Sequence, residues 1–159
     1  MRATTAAILM VVMVMGCATG PKWQAGAMAG DNAVELRGGA GFGNLKILAA
    51  PRYEMDQASE GDLLTSARGY VIYDAIDANM VSSVLGDLPP GLVYAGLFGG
   101  ADMQDGQVEG GWLVGGAVEL GSTDQYLLSL CTEYQYETMS FDGDTDKYTV
   151  VLGPLLTFK

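Results

Sequence analysis

The sequence predicts an all-β chain, an antiparallel up-and-down barrel of about eight strands. Three observations predict it. Apolar residues recur with period two in segments of about ten residues separated by polar turns, and no long 3.6-residue stripe breaks the pattern. One face of nearly every segment is apolar and uncharged, whereas the other is mostly Gly, Ala, Ser and Thr with isolated charges. Such a face suits a narrow interior, where small residues make room for a few large ones. Finally, the chain is 49% hydrophobic and holds 23 glycines, too apolar for a disordered chain and glycine-rich enough for curved strands.

In chain order, the first strand is the weakest, Lys22 to Ala29, turning at Gly30-Asp31-Asn32. From Ala33 to Phe42, Val34, Leu36 and Phe42 share one face, and Ala33, Glu35 and Arg37 the other. From Leu45 to Asp56, Ile47 and Tyr53 oppose Lys46, Arg52 and Glu54; from Leu63 to Ala75, Val71 and Tyr73 oppose Arg68, Tyr70 and Asp74. Gly91 to Met103 is apolar on both faces, so its phase stays open. Glu109 to Leu120 sets Trp112, Val114 and Val118 against Glu109, Leu113 and Glu119. Tyr126 to Glu137 is the clearest alternation, with Tyr126, Leu128, Leu130, Tyr134 and Tyr136 opposing Cys131, Glu133, Gln135 and Glu137. Lys147 to Lys159 closes the series with Tyr148, Val150, Leu152 and Phe158 on its apolar face. Pro51 and Pro154 fall inside strands, where each removes a ladder hydrogen bond; they mark bulges, strand ends or the edges of an open sheet. The segment 76–90 is too long for a tight turn, and is expected to hold a short helix or to lie over the barrel mouth.

The formal net charge is −11 and there is no histidine. Nucleic acid is not expected as a partner, since binding it takes a basic surface. Histidine-dependent triads and histidine metal sites are excluded outright. The uncharged faces are unusual for a soluble sheet, but a Lys or Arg at a bilayer midplane would cost about 2–4 kcal/mol.

This pattern resembles the small outer-membrane β-barrels, the eight-stranded transmembrane class, over most of the chain. The resemblance implies tilted strands, a lumen filled by side chains, and aromatic girdles drawn from Tyr53, Tyr73, Tyr94, Phe98, Trp112, Tyr126, Tyr136, Tyr148 and Phe158. Phe158 stands one residue before the C-terminal position where such barrels carry an aromatic. With both termini on the periplasmic side, the outward loops are 30–32, 57–62, 103–107 and 138–146, and the inward turns are 43–44, 76–90 and 121–124.

A second resemblance concerns the start of the chain. Arg2 precedes an uncharged run from Ala6 to Met15. That run is shorter than the ~20 residues of a membrane span but has the length of a signal-peptide core. Val14-Met15-Gly16-Cys17 then resembles the lipobox of bacterial lipoproteins. This implies a signal peptide at 1–16, a barrel domain at 17–159, and a covalent lipid on Cys17. Ala18 implies sorting to the outer membrane of a Gram-negative cell. An ordinary secretory signal would be cut best at Ala27-Met28-Ala29, far beyond the apolar core.

The charged residues of the small-residue face, Glu35, Arg37, Lys46, Arg52, Glu54, Arg68, Glu119 and Glu133, are expected to pair as a lumenal network, because an unpaired buried charge is costly. Paired glutamates also serve glycoside hydrolysis, but mixed charges on one narrow face read as structural. Cys131 has no basic neighbour in sequence to activate it. Asp142, Asp144 and Asp146 alternate as in a calcium loop, yet Lys147 and Gly153 stand where an EF-hand needs Gly and Glu, so a solvated acidic tip is expected there and a metal only weakly. The expected function is that of a non-enzymatic outer-membrane lipoprotein with a closed lumen and a structural or surface-interaction role. It needs no cofactor beyond its lipid, and its partners would be outer-membrane lipids, including lipopolysaccharide. The alternative is a lipid-tethered periplasmic β-barrel or sandwich that binds a small apolar ligand.

Overall fold

Strands form where the period-two segments lie, and they close. The computed structural model describes residues 20–55, 64–76, 91–103, 106–140 and 147–159. The strands are β1 Lys22–Gly30, β2 Ala33–Phe42, β3 Leu45–Glu54, β4 Ser66–Ile76, β5 Gly91–Asp102, β6 Val108–Ser122, β7 Tyr126–Ser140 and β8 Lys147–Phe158. Each pairs antiparallel with its neighbours in sequence, and β1 pairs with β8, giving a closed up-and-down barrel of eight strands. The weakest segment of the sequence is therefore the one that completes the wall. Gly43 takes φ 61° in the two-residue turn between β2 and β3, a left-handed conformation that glycine adopts without strain. No described helix is long and apolar enough to cross a membrane, which says nothing of strands.

Register fixes the shape of the wall. Pairing leads from Lys22 through Gly41, Lys46, Ile72, Gly96, Leu113 and Gln135 to Thr149. Extending the β8–β1 register, in which Val151 faces Gly30, returns the path to β1 about ten residues further along, a stagger that sets the strand tilt near ~40°. Strands of ten to twelve residues at ~3.3 Å rise and that tilt span roughly 25–30 Å.

Neither proline makes a bulge. The β2–β3 ladder is interrupted between Glu35–Arg52 and Gly38–Ala49, beside Pro51, and resumes in the same register. The β1–β8 ladder is interrupted between Gly26–Leu155 and Ala29–Leu152, beside Pro154. On their other sides both prolines keep their pairing, with Ala67 and with Leu130. Each missing N–H is thus confined to one seam. The register shifts lie elsewhere, at Asp74/Ile76, Gly110/Gly111 and Glu119/Gly121.

The small-residue face points inward and the apolar face outward, as the alternation predicts. Trp23, Leu36, Leu97, Leu120, Tyr148 and Leu152 are all more than half exposed on the outside, and Val114 and Trp112 stand among them. Two girdle residues are corrected. Tyr94 and Phe98 point inward and are 4% and 6% exposed. In β5, apolar on both faces, the phase is decided by what the lumen needs. The Tyr94 hydroxyl reaches Glu133, and Phe98 lies under the Arg68 guanidinium. The opposite phase would offer the lumen only Val93, Ala95, Leu97 and Gly99. Strand β7 also runs past Glu137 to Ser140, because its ladder with β6 continues beyond the shift at Gly110/Gly111.

Candidate functional site: the lumenal charge network

The inward positions of β2, β3, β4 and β7 bring oppositely charged side chains to one level of the barrel. Arg37 donates two parallel hydrogen bonds to Glu133, Nη1 to Oε1 at 2.6 Å and Nη2 to Oε2 at 2.8 Å. It also donates through Nε to Glu35 Oε2 at 3.1 Å. Glu35, wholly buried, accepts further from Arg52 Nη1 at 2.7 Å and from the Tyr70 hydroxyl at 2.7 Å. Glu133, 3% exposed, accepts from the Tyr94 hydroxyl at 2.9 Å and from Gln135 Nε2 at 3.1 Å. Each buried carboxylate is thereby held by two to three kinds of donor, the condition under which buried ions are tolerated. Arg37 lies 4.3 Å from the Tyr70 ring centroid, which adds a cation–π contact.

The network continues toward the end of the barrel where β3 meets β4 and β7 meets β8, here called the loop end. Arg52 donates to Glu54 at 2.6 Å. Arg68 donates to Glu109 through Nε and Nη2, to Glu137 at 3.1 Å and to Gln135 at 3.3 Å. Its Nη2 also stands 3.8 Å from Glu54. Three carboxylates thus converge on one guanidinium. At the opposite end, where the termini emerge, Lys46 pairs with Asp74 at 2.6 Å.

Of the residues the sequence singles out, Glu35, Arg37, Arg52, Glu54, Arg68 and Glu133 meet in one connected cluster. Lys46 makes a separate pair, and Glu119, toward the terminal end of β6, joins none of these ion pairs. Tyr70, Tyr94, Gln135, Glu109 and Glu137 also belong to the cluster, beyond the charged residues expected to pair. Alternation puts Tyr70, Gln135, Glu109 and Glu137 on the same faces as Arg68, Glu133 and Leu113, which is the signal that marks them. Cys131 is a buried free thiol on the inward face. Cys17 and the acidic tip at Asp142, Asp144 and Asp146 lie outside the described residues, as does the segment from 77 to 90. Among the described residues no three acidic or thiol side chains stand close enough together to hold a metal ion.

The cluster divides the lumen in two. On the loop side is a polar vestibule of about 430 Å³, walled by Arg52, Glu54, Ser66, Glu109, Glu137 and Lys147 among others. On the terminal side is a smaller space of about 190 Å³, lined by apolar residues such as Met28, Leu48, Ile72 and Leu155 together with Gln24 and Lys46. Fold and site together define a closed eight-stranded antiparallel barrel, plugged by its own ion pairs. No protein-family model matches the sequence, and no curated protein or solved structure is significantly similar to it.

Proposed function

We propose that the chain is a lipidated outer-membrane protein of a Gram-negative cell, whose barrel spans the bilayer and whose lumen is shut. Its role is structural or surface-interactive and not enzymatic, with outer-membrane lipids as its surroundings and lipopolysaccharide as the partner of its acidic loops. One observation carries the reading: none of the described outward-pointing strand positions holds a charged side chain, while Trp, Leu, Val and Tyr stand exposed around the wall. The roughly 25–30 Å that the strands span is close to the ~25 Å apolar band of outer-membrane barrels. In water that surface would be a large exposed apolar patch, of a kind monomeric soluble proteins rarely tolerate. A periplasmic ligand-binding barrel would instead turn its apolar faces inward.

Lipidation at Cys17 gains support from the fold. Cleavage after Ala29 would remove most of β1, the strand that closes the wall onto β8. A cut before Cys17 keeps β1 whole.

The test uses detergent-extracted protein, run on a semi-native gel before and after boiling, for the natural chain and for Cys17→Ser. Both are expected to migrate differently when unboiled and to stay in the outer membrane through a carbonate wash. Release of Cys17→Ser as a soluble protein without a heat shift would refute the spanning barrel. A second substitution probes the wall directly. Val114→Arg, outward in mid-β6, is expected to lower stability in lipid vesicles by about 2–4 kcal/mol. An unchanged urea midpoint in vesicles would place this surface in water.

A further inference from the structure

The vestibule at the loop end has too few positive charges. At this end of the network, three carboxylates (Glu54, Glu109, Glu137) face two guanidiniums (Arg52, Arg68). Lys147 lines the vestibule as one further positive charge, but Asp31 and Asp102 line it too. The excess negative charge sits in a partly enclosed space, where electrostatic interactions are stronger than in water. A cation is therefore favoured in this space.

An independent observation marks the floor. The Ser66 side chain is buried, at 2% exposure, and its Oγ has no hydrogen-bond partner although it lines the vestibule. A buried hydroxyl left unpaired costs free energy, so such a group commonly has a partner from outside the chain. Ser66 lies at the start of β4, paired with Arg52 on one side and Asp102 on the other, in the ring of the vestibule's charges.

We propose that the vestibule is a binding site for a small linear polyamine. Its ammonium groups would take Glu137 Oε1, which Arg68 does not bond, and the outer lone pairs of Glu109, whose two oxygens Arg68 holds in a fork, and one N–H would donate to Ser66 Oγ. A bare divalent ion fits less well. The described carboxylates converge on Arg68 and not on a shared empty point, and no three of them form a metal-holding group. The space of about 430 Å³ falls in the ~300–1,000 Å³ range of small-molecule sites and far exceeds one dehydrated ion. The site belongs to the end of the barrel whether or not the wall lies in lipid, so its failure would leave the membrane reading untouched.

The test is calorimetric titration of the folded full chain with spermidine at low ionic strength, with magnesium chloride as the comparator. Saturable binding is expected, weakened about tenfold in Glu137→Gln, which loses one charge-assisted bond while Arg68 keeps Glu109. Ser66→Ala changes no charge and is expected to weaken binding by roughly threefold to tenfold. The unboiled gel position confirms that each variant is folded. Binding that does not saturate, or that is the same in the natural chain and both variants, overturns the site as mere surface attraction. Magnesium that displaces spermidine at equal concentration overturns the choice of an amine.

Discussion

Replacing Glu133 with alanine is expected to destabilise the folded barrel by about 3–5 kcal/mol, the usual cost of breaking a buried ion pair from one side. The cause is what stays behind. Arg37 is 5% exposed and would lose both bonds of its fork. The Tyr94 hydroxyl and the Gln135 amide would lose an acceptor at the same moment. Glu35 would keep Arg37 partly satisfied, but it is already shared with Arg52 and Tyr70. The measurement is the urea midpoint of the folded protein in detergent or vesicles. A companion variant separates charge from packing: Arg37→Met with Glu133→Leu removes both ions and is expected to recover most of the loss, since well-packed apolar replacements of buried pairs are often neutral. A loss under ~1 kcal/mol in Glu133→Ala would mean that water reaches Arg37 and that the plug is not closed.

The second large effect lies in the wall. Gly153→Ala is expected to cost more than about 3 kcal/mol, at the upper end of overpacking substitutions. A Cβ there would overlap the carbonyl oxygen of Ala27, and the Met28 backbone stands beside it at 2.9 Å. These are backbone atoms of β1 and cannot rotate away as a side chain can. The contact falls at the interrupted stretch of the β1–β8 ladder, so relief must come from separating the strands that close the barrel. Gly38→Ala is the control. Its Cβ would point outward, with nothing nearer than 4.0 Å, and the change is expected to be neutral or slightly stabilising. The fraction of protein in the folded gel band, before boiling, reads both. Equal folding of the two variants would disprove the tight closure at this seam.

Much of this architecture is legible in the sequence, because a wall with one uncharged face constrains every second residue. Seven strands, and the inward direction of Glu35, Arg37, Arg52, Arg68 and Glu133, are legible from the alternating segments, while Lys22 to Ala29 reads only as a weak eighth. What parity lacks is height along the barrel axis. Glu119 and Glu133 share the inward side, yet only Glu133 stands level with Arg37; Glu119 pairs in register with Ser129, toward the terminal end. Height depends on tilt and stagger, which are properties of the closed sheet and not of a strand. Parity also fails where both faces are apolar. Tyr94 and Phe98 look like lipid-facing aromatics until Glu133 and Arg68, distant in sequence, supply the reason for them to turn inward.

The two prolines have a consequence for how the barrel comes apart. Pro51 thins the seam on the far side of β2, and Pro154 thins the seam on the far side of β1. The ladder between β1 and β2 is uninterrupted from Lys22–Gly41 to Ala29–Val34. The β1–β2 hairpin is thus continuous within itself and has an interrupted ladder at each border, where local opening is expected to begin. It is expected to open as a flap in the wall before the strands of the long β5–β7 ladders, which form the frame. Its amides should exchange with solvent as a group and before those of the frame. Because the flap carries Glu35 and Arg37, each opening also pulls half of the plug out of the lumen.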